Sequence, residues 1–248
     1  MRAAVGVFSM LSLVSSSTAC NPLGAQAQQM GTLTPGVLRV AVTIEAPTNP
    51  YDPQTWIRRY LQRFTDETGL TAEWVSVPFD RSWERAGRDE VDLVATNVAS
   101  FPDRVSAGGT FSSPFLYERR ALRIRARDRA IFAGIDDFAG RRVGVVRATA
   151  AERDVQRRSP PGVEVVATDS FANLYQLFES DAVDAVAEAE YFTLDGQVIP
   201  SHGPEVVLID LHDLMPGQRE ESVFIVRDKS DGLLAAVNRF IARVRFPL

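Results

Sequence analysis

The chain has 248 residues, of which 45% are hydrophobic, and it carries a formal net charge of −5 at pH 7. This size suits one large domain or two small lobes, and the acidic balance argues against a nucleic-acid partner. The single cysteine, Cys20, excludes an internal disulfide, and the two histidines, His202 and His212, lack the spacing of metal ligands. We therefore expect no metal site and no cofactor.

The N-terminus carries the features of an export signal. Arg2 precedes an apolar run, residues 3–14, that is too short to span a bilayer as a stable helix, and small residues follow it. We therefore predict a signal peptide over residues 1–19 and an exported mature chain.

Two cleavage sites are compatible with this signal. Ser17-Thr18-Ala19-Cys20 resembles a bacterial lipobox, in which Cys20 becomes the lipidated first residue, although Ser17 stands where leucine is usual. The alternative is ordinary cleavage after the Ala25-Gln26-Ala27 motif. Residues 20–35 are polar with little apolar content, so we predict a disordered tether there.

From residue 36 onward, strands and helices alternate. Asp52 and Pro53 predict the start of a helix that Gly69 closes, and apolar residues recur between them at helical spacing. The predicted order is a strand over residues 36–42, that helix, a strand over Thr71–Val77, a short helix over residues 82–88, and a strand entered at Asp92. A β-α-β order argues for a parallel sheet with helices on both faces.

The second half of the chain repeats this pattern. A strand, a helix capped by Thr149, a further strand and a further helix follow one another between residues 142 and 179. The motif V-D-L-V at residues 91–94 then has a counterpart, V-D-A-V, at residues 183–186. Two similar lobes are the simplest account of the repeat.

The stretch from residue 92 to residue 117 points most directly to a function. Asp92-Leu93 opens an apolar strand, Phe101-Pro102-Asp103-Arg104 follows it, and Phe111-Ser112-Ser113-Pro114-Phe115 comes next. In order and spacing, this stretch resembles the hallmark of bacterial extracellular solute-binding protein family 3, the polar amino-acid ABC transporter type. The resemblance covers residues 36–245 and marks the chain as a divergent member.

The resemblance implies a periplasmic binding protein-like α/β fold, with two α/β lobes joined by a two-strand hinge and a ligand cleft between them. The first lobe is expected over residues 36–120 and 221–248, and the second over residues 121–220. The chain is expected to cross between the lobes near residues 117–123 and 218–222.

The resemblance also implies a carboxylate site. Arg104 presents a fork of donors that suits a carboxylate, and the helix beginning at Thr149 and Ala150 offers backbone amides from the other lobe. Asn97 and Tyr51 are predicted to line the same cleft.

Several residues depart from the family pattern. Ala99 stands where serine or threonine is usual, and Ala189 stands where an acidic residue would hold the α-ammonium of an amino acid. Glu188 and Glu190 flank Ala189, and Glu188 is a candidate ligand residue. The alternative for both glutamates is that they are exposed to solvent. Trp83 fits either the cleft or the core. A carboxylate-bearing solute is therefore favoured over an α-amino acid.

The function implied by the resemblance is that of a solute-binding protein of an ABC importer, a monomer that captures a small polar solute, either an amino acid or a related organic acid. Its partners would be the solute and a membrane permease. The expected location is periplasmic or extracytoplasmic, with the membrane touched only through a lipid anchor. Two alternatives remain: an enzyme on the same fold that dehydrates cyclic carboxylates, and an orphan sensory binding module. No catalytic constellation supports the enzyme.

Overall fold

The computed structural model describes residues 29–43, 51–104, 108–212 and 219–248. The strands are β1 (Val37–Thr43), β2 (Thr71–Val77), β3 (Leu93–Ala99), β4 (Gly109–Phe111), β5 (Leu116–Arg125), β6 (Arg142–Val146), β7 (Glu164–Thr168), β8 (Ala185–Phe192), β9 (Val198–Ile199), β10 (Val206–His212) and β11 (Glu220–Arg227). The helices are α1 (Pro53–Thr68), α2 (Ala150–Arg158), α3 (Phe171–Glu179) and α4 (Asp231–Arg243).

The sheet has two parallel halves. Strands β2-β1-β3 form the first half and β8-β6-β7 form the second, and β11 and β5 lie between them. Strand β11 runs antiparallel to β3 and β5, and β5 runs antiparallel to β8, so these two strands join the halves. The parallel β-α-β order and two halves predicted from the sequence are therefore present.

The ends of the helices follow local sequence signals. The side chain of Asp52 accepts a hydrogen bond from the backbone N–H of Gln54 at the start of α1, and Gly69 ends that helix with a positive φ of 72°. Thr149 caps α2 and Ser170 caps α3 in the same way. The predicted roles of Asp52, Gly69 and Thr149 are therefore confirmed.

Three apolar clusters hold the layers together. The first packs α1 and α4 on the first half of the sheet, with the ring of Phe240 in contact with those of Tyr60 and Phe64. Another packs α2 on the second half, around Phe138 and Val155. The remaining cluster contains side chains from both halves, so the halves are packed against each other as well as joined by strands.

Two local predictions need correction. In the described part of the predicted tether, Met30 is 3% exposed and the Leu33 N–H donates to the buried carboxylate of Asp92, so this part is held against the first half. Residues 20–28 of the predicted tether lie outside the described residues. The predicted helix over residues 82–88 is only one 3-10 turn, Ser82–Glu84. Left-handed backbone at Arg81 and Asp89, on either side, confines the segment to a turn.

The predicted signal peptide, the Cys20 lipidation site and the Ala27 cleavage site lie outside the described residues. Within the described ranges, no helix is both long and apolar enough to cross a membrane.

Candidate ligand site

A small cavity of about 40 Å³ lies between the two halves of the sheet. It adjoins the carboxyl ends of β3 and β6, where open α/β sheets bind ligands. One water molecule needs about 10–15 Å³, so the cavity holds only a few waters in this closed arrangement. Its polar wall includes Asn97, Arg104, Glu118, Arg120, Thr149 and Glu188.

Arg104 is buried in this wall, with 1% of its surface exposed. Its guanidinium lies 5.0–5.4 Å from the rings of Phe79, Trp83 and Phe101, and its Nη2 donates to the Ala148 carbonyl at 2.9 Å. Burial lowers the pKa of Arg104 to about 10, which still leaves it charged at neutral pH. The short turn Pro102–Arg104 directs this charge inward immediately after β3.

Arg104 has no carboxylate partner in the part of the chain that the structure describes. Among the described residues, no acidic group lies within ion-pair distance of it, and its buried Nε has no hydrogen-bond acceptor. The neighbouring Asp103 is engaged instead by Arg153 at 2.6 Å. The cavity wall therefore contains a buried positive charge that no carboxylate of the described residues neutralises.

The N-terminus of α2 adds donors to the same wall. The Thr149 side chain caps the Glu152 N–H at 3.1 Å, whereas the first helical amides, those of Ala150 and Ala151, have no acceptor within the helix. Their partial positive charge lies on the side of the cavity that belongs to the second half. Arg104 and this helix start together favour an anion.

A buried ionic network forms another part of the wall. Glu118 accepts hydrogen bonds from Asn97 Nδ2 at 2.8 Å, from Arg120 and from Ser222. Arg120 also lies 3.2 Å from Glu220, which pairs directly opposite Glu118 across β5 and β11. Burial raises the pKa of Glu220 to about 7, despite the opposing attraction of Arg120.

Glu188 is buried, so the alternative of solvent exposure is wrong for this residue. It accepts from Arg123 Nε at 2.6 Å and from the Tyr175 hydroxyl. Desolvation, followed by the nearby Glu188 charge, raises the pKa of Tyr175 well above its usual value. Glu190 forms an ion pair with Arg119 and is half-buried. The sequence alternation did not reveal these arginine partners because they lie on β5.

The six predicted ligand residues do not all meet. Arg104, Thr149, Asn97, Ala150 and Glu188 line the cavity. Tyr51 instead lines a neighbouring groove of about 630 Å³, beside Arg123, Arg125 and Arg127.

Trp83 is a core residue and not a cleft residue. Its ring packs in the core beneath the guanidinium of Arg104. The sequence analysis did not identify Glu118, Arg120 and Glu220 as site residues. Their charges at buried positions of predicted strands could have indicated them.

Comparisons with known proteins identify the fold. The arginine-bound form of truncated ArgBP from T. maritima has 17% sequence identity and a TM-score of 0.65, over 84% of this chain and 95% of that one. The amino acid ABC transporter substrate-binding protein AbpA from Streptococcus pneumoniae, bound to L-arginine, has 19% identity and a TM-score of 0.65, over 84% and 88%. The chain has the periplasmic binding protein fold.

A third solved structure, the ancestral amino acid-binding protein AncCDT-1, a precursor of cyclohexadienyl dehydratase, has 18% identity and a TM-score of 0.65, over 84% of this chain and 89% of that one. No protein-family model matches the sequence, and no curated protein matches it either. At these identities the likeness establishes the fold and leaves the ligand to the residues of the site.

Proposed function

We propose that this protein is an exported solute-binding protein that captures a small carboxylate-bearing solute in the Arg104 cavity and delivers it to an ABC permease. The two lobes would comprise residues 36–120 with 221–248 and residues 121–220. The solute-binding proteins among the structural neighbours support a binding role, and the N-terminal sequence supports export, with Cys20 as a lipid anchor.

The observation that carries the proposal is the buried charge of Arg104, which has no carboxylate partner among residues 29–43, 51–104, 108–212 and 219–248. A buried charge without a partner is costly, and a protein that keeps one must recover that free energy elsewhere. A solute carboxylate between Arg104 and the first amides of α2 would neutralise the charge and fill the free donor positions.

Solute entry requires the two halves to separate, because the cavity of about 40 Å³ is far smaller than a usual ligand pocket. Separation would break the Arg104–Ala148 hydrogen bond and the Asp103–Arg153 ion pair, both of which connect the two halves. Strands β5 and β11 would remain continuous and act as the hinge.

The first test is a thermal-shift screen of the mature protein against amino acids, organic acids and small amines, followed by calorimetry. A true solute at 100 times its Kd should stabilise the protein by about 2.7 kcal/mol. Arg104→Ala should then weaken binding roughly 10- to 150-fold, because a hydrogen bond to a charged group is lost. Arg104→Lys should weaken it as well, because a point charge lacks the planar fork.

Arg63→Ala provides the matched control. Arg63 lies on α1, forms a surface pair with Glu67 and is 49% exposed, so its loss should leave the affinity unchanged. If both Arg104 variants bind the identified solute as tightly as the parent, Arg104 does not hold the carboxylate and the proposal fails.

A further inference from the structure

We propose that the site selects a small 2-hydroxycarboxylate and rejects the zwitterionic amino acid of the same shape. This inference rests on the proposed function, because it concerns the solute held at Arg104. It follows from the charges and the free hydrogen-bonding atoms in the cavity wall.

Both carboxylates in the wall already have an arginine partner. Glu118 accepts from Arg120, Asn97 and Ser222, and Glu188 accepts from Arg123 and Tyr175. An ammonium beside either glutamate would share a carboxylate whose charge an arginine already offsets, so it would be stabilised less than by an unpaired carboxylate. Among the described residues of the wall, no carboxylate is without a cationic partner.

The positive side of the wall is free. Arg104 has no carboxylate partner among the described residues, and its Nε is buried without an acceptor. The Nε of Arg120, in the same wall, is also buried without an acceptor. A carboxylate supplies two acceptor oxygens for these donors. The buried donors of the wall that lack an acceptor therefore favour an anionic solute.

One neutral acceptor is also free. The Nδ2 of Asn97 donates to the Glu118 carboxylate at 2.8 Å, and an ionised carboxylate can only accept, so this contact fixes the orientation of the amide. The Oδ1 of Asn97 is then buried without a donor. A single hydroxyl on the solute would satisfy it, whereas an ammonium would bring three donors and a full charge to one amide oxygen.

The part of the wall formed by Ala187 and Ala189 is apolar and offers an ammonium no counter-ion. Ala189 is 1% exposed and lines the cavity, as does Ala187 on the other side of Glu188, and neither side chain can pair with an ammonium. Such a surface accommodates hydrogen or methyl on the solute. Together with the size of the closed cavity, it favours acids of two or three carbons.

The decisive experiment compares solutes that differ in one group. Calorimetry at pH 7.5 would measure glycolate, glycine and acetate as one set, and L-lactate, L-alanine and propionate as a second. In at least one set the hydroxy acid should bind about 100-fold more tightly than the amino acid, because the latter buries an unpaired ammonium. It should bind about 10-fold more tightly than the unsubstituted acid.

Asn97→Gly tests the acceptor directly. Asn97 has a φ of 59°, which glycine adopts freely, so the backbone should be retained. In this variant the advantage of the hydroxy acid over the unsubstituted acid should disappear, whereas binding of the carboxylate persists. Asn173→Ala, at an exposed position on α3, should keep the full advantage.

The outcomes separate this inference from the function on which it rests. If amino acids bind as tightly as the matched hydroxy acids, the inference is overturned and the solute-binding function stands. If the hydroxyl advantage survives in Asn97→Gly, the assigned acceptor is wrong. If no member of the sets or of the wider screen binds, both proposals fall.

Discussion

Two arginine-lined spaces lie side by side in this protein. They differ in whether their arginines form ion pairs with carboxylates of the described residues. The groove next to Tyr51 has a volume of about 630 Å³ and is lined by Arg123, Arg125 and Arg127. The cavity at Arg104 has a volume of about 40 Å³. By volume alone the groove would be the binding site.

The arginines of the groove already have partners within the protein. Arg123 bonds to Glu188 and to the Ser201 carbonyl at 3.0 Å, and Arg125 and Arg127 share the carboxylate of Asp181. These guanidiniums hold the structure together and have no need of a ligand.

Arg104 is the contrasting case, because it is more deeply buried and has no carboxylate partner among the described residues. The comparison shows what distinguishes a candidate binding site from a set of structural arginines. A buried charge without an ion-pair partner is a better indicator than the volume of the space or the number of arginines that line it. Three changes would break or sharpen this contrast.

Arg123→Met should have the largest effect on stability. It removes the guanidinium that neutralises Glu188, whose side chain is 3% exposed, and leaves a buried carboxylate without its counter-ion. The free energy of unfolding in urea should fall by about 3–5 kcal/mol. Arg127→Met, at a side chain 65% exposed, is the control and should change it by less than about 1 kcal/mol. Equal losses in the two variants would contradict a structural role for Arg123.

Glu220→Gln should remove a pH dependence. Burial raises the pKa of Glu220 from 4.5 to about 7, so the folded state favours the protonated carboxyl. In the parent, the contribution of this group to stability is present below pH 4.5 and is lost as the pH rises to about 7, by about 3 kcal/mol. The amide mimics the protonated form.

The variant should therefore lose less stability than the parent between pH 4.5 and pH 8. Urea unfolding of both proteins at several pH values measures this difference. Parallel curves across the whole range would show that Glu220 does not titrate there.

Arg104→Met should have the smallest effect on stability and the opposite sign. It replaces a buried charge, for which the described residues supply no carboxylate partner, with an apolar side chain of similar length. The free energy of unfolding should therefore stay equal or rise by about 1 kcal/mol. Binding of the solute should weaken in the same variant, roughly 10- to 150-fold as for Arg104→Ala. A fall comparable to that of Arg123→Met would show that Arg104 is structural, and the contrast between the two spaces would disappear.

The sequence by itself determined the order of the elements and several of their ends. Asp52, Gly69 and Thr149 act through hydrogen bonds or backbone angles within a few residues, so their roles can be read locally. The position of Arg104 after a buried strand was predictable for the same reason. That no described residue supplies it with a carboxylate partner was not predictable, because this depends on every residue folded around it.

Only the tertiary structure decided which charges are neutralised. Glu118 meets Ser222 across 104 positions of sequence, Glu188 meets Arg123 across 65, and Arg104 meets the Ala148 carbonyl across 44. These contacts depend on the register of β5 with β8 and β11, and on how the two halves close. A strand pattern indicates which residues share a face of the sheet. The partner of a buried charge is set by the neighbouring strand and its register, and the pattern within one strand does not specify that pairing.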